Sequence, residues 1–393
     1  MTEEKQNIPT DSLELPDNIL SRLAIKWHLA RTENQALARG AMLFVAVAFL
    51  PILFLSIIDD IELGRAVDMP LYRDLITLSR YLLAAPILIL SDRLTRPWLV
   101  KAISRFCDLL DRSDIKQFKN IVKRVFKIRG SVTIDLLLLA FSFASSFFLT
   151  SFVLDFNISS WQTSTVNGAA ALTRPGYWNT FISQPLFRFV VLSWLVDYTL
   201  WVYLLFRVSR FRLNVIATHP DRAGGLSFVS AAHSQYCLAA FALSCAVCSA
   251  VMQSVQHAHL ELQSLYNLGL VFLAGVLLIF VGPLIIFSPT LLKTKLNGII
   301  SYGSLCHELS NKFAAKWIAM RQQENESILS SPDPSSLADL NSSFDTVQTM
   351  RPIVFDHQFV FLFVIATCLP ALPLVATVIP LQDLIMQIFK TLT

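Results

Sequence analysis

Seven blocks of mostly apolar residues divide this chain, roughly 40–58, 75–91, 132–154, 184–207, 228–252, 265–290 and 358–379. Each approaches or exceeds the ~20 residues that an α-helix needs to cross a hydrocarbon core of ~30 Å. A crossing segment must satisfy its own backbone groups, and runs this long do so as helices. The pattern predicts an all-α polytopic membrane protein with seven transmembrane helices. Composition agrees: 54% of residues are hydrophobic and 15% charged, against about 25% charged in a soluble domain. The second block is the shortest and carries Arg80. The first block follows a polar lead and lacks a small-residue cleavage pattern, so it is expected to stay in the mature protein.

Charge sets an orientation, because segments rich in Lys and Arg stay on the cytoplasmic side. Residues 92–130 hold a dense series of bases from Arg93 and Arg96 to Lys127 and Arg129. The preceding loop is acidic, with Asp59, Asp60, Glu62, Asp68 and Asp74. The loop 155–183 has one base, Arg174, and the loop 253–264 has none. All loops agree with a cytoplasmic N-terminus and an external C-terminus. The expected division is a cytoplasmic lead at 1–39, helices 1–2 at 40–91, a basic amphipathic segment at 92–130, helices 3–6 at 131–290, a cytoplasmic helical hairpin at 291–357, and helix 7 with a short tail at 358–393.

Segment 92–130 mixes Leu99, Ile103, Leu110, Ile121 and Phe126 with its bases, which suits an amphipathic hairpin against anionic headgroups. In the later hairpin, Leu305, Leu309, Phe313 and Trp317 recur every four residues as an apolar stripe. The run Ser330 to Ser335 breaks that helix, and a second carries Leu337, Leu340, Phe344 and Val347 before Pro352 stops it.

Ionisable residues inside crossings are costly and often functional. Arg80 and Arg188 lie near outer helix ends, and Asp135 and His233 near inner ends, where each can reach the interface. Asp197 falls about halfway along the fourth crossing and is expected to face the bundle. Asp197, His233 and Asp135 are therefore the candidate ion or solute path. The bland alternative for Asp197 is a structural pair with a neighbouring helix. Pro51, Pro86, Gly282-Pro283, Pro289, Pro370 and Pro373 interrupt crossings, as in many transporter sites and also in plain kinks.

Between the fourth and fifth crossings lies the turn His219-Pro220-Asp221-Arg222-Ala223-Gly224-Gly225-Leu226. Free backbone N–H groups at a following helix start favour an anion, and Arg222 could grip a phosphate or carboxylate. His219, Asp221, Arg222, Gly224 and Gly225 are thus a candidate anion or headgroup site, with a rigid loop in which Asp221 caps a helix as the alternative. Cys245 and Cys248 form a C-x-x-C among small residues that suits close helix packing better than metal binding. His257, His259 and Glu261 lack a visible fourth ligand. No catalytic grouping, metal site, cofactor or nucleic-acid motif is expected.

Three stretches, Arg207-Val208-Ser209-Arg210-Phe211-Arg212-Leu213 leading into Thr218 to Leu226, Ser335-Ser336-Leu337-Ala338-Asp339-Leu340, and Met350-Arg351-Pro352-Ile353-Val354-Phe355-Asp356, resemble a family of bacterial integral membrane proteins without an assigned activity. The resemblance implies a bacterial inner-membrane location and leaves the activity open. The residues point to transport or channel-like function for an ion or small solute, with a membrane sensor or assembly scaffold as the alternative. The expected partners are the lipid bilayer with its anionic headgroups, a second copy of the chain, and a cytoplasmic protein.

Overall fold

The computed structural model describes residues 33–59, 70–154, 160–166, 169–258, 262–319 and 331–372. They are helical but for loops and one short antiparallel pair, β1 (Thr163–Val166) and β2 (Ala169–Leu172), inside the third expected loop. The helices are α1 (Glu33–Ala48), α2 (Leu50–Ile58), α3 (Leu75–Leu109), α4 (Arg112–Arg129), α5 (Val132–Leu154), α6 (Arg174–Val208), α7 (Ser227–Gln253), α8 (Leu262–Val281), α9 (Ser288–Phe313), α10 (Asp333–Thr349) and α11 (His357–Cys368).

Five stretches are long and apolar enough to cross a membrane: Arg39–Ile58, α3, α6, α7, and Tyr266–Ala319, which joins α8 to α9. A sixth counts if α4 and the start of α5, bent by 45° at residues 130–131, are one broken span. The last expected crossing appears as a shorter apolar helix, His357–Ala371, and its continuation to 379 lies outside the described residues. So does the lead 1–32.

Local chemistry starts these helices where they start. Asp74 accepts from the Thr77 N–H at 3.1 Å to cap α3, Thr173 accepts from Gly176 at 3.1 Å to cap α6, and Asp356 accepts from Phe359 at 2.9 Å to cap α11. Asp74 also accepts from the Trp161 indole at 2.9 Å, which pins the β-hairpin region onto the bundle. Both α3 and α6 contain a π-helical turn, Ser79–Ala84 and Asn179–Ser183. These irregular turns meet: the Tyr81 hydroxyl donates to Asn179 at 2.6 Å.

Each of α3 and α6 has 35 residues, about 52 Å at about 1.5 Å per residue. That exceeds the ~30 Å of a bilayer core, so each must project beyond it. The projecting parts build a second packed region. There α4, whose Phe118, Ile121, Val122 and Val125 are buried, packs along α6 and sets Phe118 against Phe106 of α3, whose ring also meets Phe228 and Phe287. The apolar face expected to lie on lipid is thus covered by protein, and Lys116, Lys123, Arg124 and Lys127 face outward.

α9 and α10 pack as a hairpin closed by Lys316 and Trp317, both donating to Asp333 at 2.8 and 3.0 Å. The contact runs over glycines. A Cβ on Gly298 would lie 2.7 Å from Ala217 and 2.9 Å from Val347, and one on Gly303 would lie 3.6 Å from Phe344. Close approach over small residues turns the seam away from Leu305, which stays exposed although the four-residue repeat placed it on the stripe.

Candidate functional site

Arg129 ends α4 and is 3% exposed. One face of its guanidinium meets Asp135, on the first turn of α5, at 3.2 Å. The same group pairs with Asp197 of α6. A few residues away on α3, Arg96 holds Asp92 at 2.9 Å. Four helices thus place three carboxylates and two guanidiniums in one layer.

The layer borders a partly open cavity of about 50 Å³. Asp92, Arg96, Arg129 and Asp197 line it on the charged side, with Trp194 and Tyr236 among the rings opposite. Asp197 keeps 17% of its side-chain surface open, and it faces this space. Several buried polar atoms here have no hydrogen-bond partner among the described residues: Arg129 Nη2, Asp135 Oδ2, Asp197 Oδ2 and the Trp194 indole N–H. Interiors rarely leave such groups unmatched, because each costs about 1–3 kcal/mol.

α5 packs along α6, with Arg188 donating to Ser146 at 2.6 Å near one end and Arg129 joining Asp135 to Asp197 near the other. Nine residues separate the two points on α6 and eleven on α5, so the helices keep register. Asp197 is therefore level with the first turn of α5.

His233, the third candidate, lies one turn further along, fully buried among the rings of Tyr198, Tyr236 and Phe359. The Trp201 indole donates to its Nδ1 at 3.2 Å, which places the imidazole proton on Nε2. Two of the three candidates meet at Arg129, and His233 stands apart in the aromatic core.

In the turn before α7, the Asp221 carboxylate occupies the place an anion would take. Its Oδ1 accepts from Ala223 at 2.8 Å and Gly225 at 3.0 Å, and its Oδ2 accepts from Ser227 at 3.1 Å. Burial alone would raise the Asp221 carboxyl. The donors Gly225, Ala223 and Ser227, with His219 at 2.8 Å, hold it below the usual carboxylate range instead. Arg222 has φ +55°, Gly224 +64° and Gly225 +92°, so the chain coils left-handed around the carboxylate. Arg351 then clasps the turn: its N–H donates to Arg222 O at 2.7 Å and its guanidinium to Asp221 O at 3.2 Å. The Arg222 side chain points outward and is exposed.

Sequence reasoning missed Arg129 and Arg96 as site residues because they were counted among the bases of 92–130, and Asp92 because it opens that basic segment. One signal was available: Arg129 and Asp135 flank a Gly130-Ser131 break between a charged and an apolar helix. Among the described residues no group of His, Cys, Asp and Glu could hold a metal ion. His259 and Glu261 lie outside the described residues. The free cysteines include Cys245 and Cys248, both at least partly buried in α7.

Comparison with protein-family models, curated proteins and solved structures finds no match to this chain.

Proposed function

We propose that this is a seven-crossing protein of the bacterial inner membrane that passes an ion or small solute through its helical bundle, with the cavity at Asp197 and Arg129 as the inner end of the path. The observation that carries the reading is the set of unmatched buried polar atoms around a cavity lined by ion pairs. A purely structural salt bridge would gain by matching every donor and acceptor. In this reading the charged layer marks the cytoplasmic edge of the bilayer. α5, with 23 residues, spans about 34 Å from that layer outward, close to the ~30 Å core. The exposed bases of α4 fit the cytoplasmic side and its anionic headgroups. The test is flux across liposomes holding purified protein, with a panel of ions and small solutes. Wild type should pass at least one of them, and Asp197→Asn should lose it. Liposomes that stay tight to the whole panel would sink the reading.

A second reading, a sensor or assembly scaffold, rests on Leu292, Leu296 and Ile300 of α9, which are 47%, 52% and 68% exposed. Their four-residue spacing makes one apolar strip, the pattern of a helix-docking face. Crosslinking from Leu296→Cys in intact membranes should then capture a defined partner; an unmodified chain across repeated trials counts against it.

A further inference from the structure

Arg129 serves two buried carboxylates, Asp135 and Asp197, with one positive charge. Across the cavity, Asp92 and Arg96 balance each other. With every group ionised, the layer holds three negative charges and two positive ones. Tyr236 is the other titratable residue lining the cavity and adds no charge in its neutral form. An uncompensated charge in such surroundings is costly, so the layer favours one further positive charge. Arg96 and Arg129 both border the space and repel a metal cation, and no metal-binding cluster of side chains is found among the described residues. A proton needs neither room nor a ligand cage.

Two positions could take it, the unmatched Oδ2 of Asp135 and that of Asp197. Asp135 is fully buried, and its residue does not line the cavity. Asp197 lines it and keeps open surface there. The side chains of Arg129 and Trp194 border the same space.

We propose that Asp197 is a proton-binding site and that the ion carried by this protein is a proton. The carrier half of this statement rests on the transport reading; the binding half does not. Uptake moves a proton from cavity water to the Asp197 carboxylate and turns it into a neutral acid. The charge-assisted hold on Arg129 weakens while Asp135 keeps its own bond. Release returns the proton to water and restores the pair. Proton occupancy thereby sets how firmly α4 is tied to α6.

Infrared difference spectra of the full-length protein in lipid test the binding half. Wild type at neutral pH should show the carbonyl stretch of a protonated carboxyl, absent in Asp197→Asn and kept in Asp92→Asn. A band that is missing in wild type, or that vanishes with Asp135→Asn and survives Asp197→Asn, overturns the assignment. Should Asp197→Asn fail to fold, Asp197→Glu replaces it, and the band should then shift in frequency. A pH dye trapped in liposomes under an imposed potential tests the carrier half. Wild type should acidify the lumen and Asp197→Asn should not. A silent dye beside passage of another ion refutes proton carriage and leaves transport standing. A silent dye beside liposomes tight to every solute removes both.

Discussion

At Asp221 one carboxylate gathers three backbone N–H groups and an imidazole, and a left-handed run of residues forms around it. Hydrogen bonds to a charged acceptor contribute about 1.5–3 kcal/mol. Asp221→Ala should therefore lower stability by about 2–3 kcal/mol, read from thermal melts in detergent. The sign with pH follows from the depressed carboxyl. Its contribution is full above the unfolded value of about 4 and fades as pH falls through the lower folded value. Wild type should keep its advantage over Asp221→Asn at neutral pH and lose it in acid. An advantage that grows in acid would contradict the geometry. Gly224 is constrained twice, by φ +64° and by Val215, whose Cγ1 would lie 2.1 Å from an added Cβ. Gly224→Ala should cost at least ~1 kcal/mol, and a variant as stable as wild type would show that the turn is not held as described.

Among the elements, α4 is the one whose role changes most on folding. Its basic face is solvated, its apolar face is buried, and its last residue, Arg129, enters the bundle to join α5 and α6. Removing one partner from a buried ionic group costs about 3–5 kcal/mol because the others lose their compensation. Arg129→Gln should therefore loosen α4 first, with faster amide exchange over 112–129 than over α8. Equal exchange in wild type and variant would mean that Arg129 is not the anchor. α9 and α10 depend on a close approach at Gly298. Gly298→Val should part them and expose 331–349 to protease while the apolar spans stay intact.

At the scale of the whole molecule, apolar blocks and charge bias sufficed for a helical bundle with several spans, because both act over long stretches of chain. They could not show where helices project beyond the bilayer. Hydropathy treats Leu195, Tyr203 and Phe206 alike whether they face lipid or stand past it. Nor could they separate Arg129 from its ten basic neighbours in 92–130, since only the elbow at Gly130 turns it inward. Asp197 and Asp135 were readable as costly residues, and the motif at His219 to Leu226 was readable as a built turn. That the turn's anion is its own Asp221, clasped by Arg351 from 130 residues away, is a long-range fact with no local signature. The same holds for the meeting of Tyr81 and Asn179 at paired π-turns.

A path through Asp197 needs a wet cavity beside it. Hydroxyl radicals generated in water by a brief X-ray pulse oxidise aromatic rings that water touches. Trp194 is 6% exposed, and its side chain lines the cavity. It should be oxidised at a rate approaching that of Trp98, which is 41% exposed, and far above that of the fully buried Trp161. A Trp194 as protected as Trp161 would mean a dry, sealed ion pair, and the path through Asp197 would have no inner end.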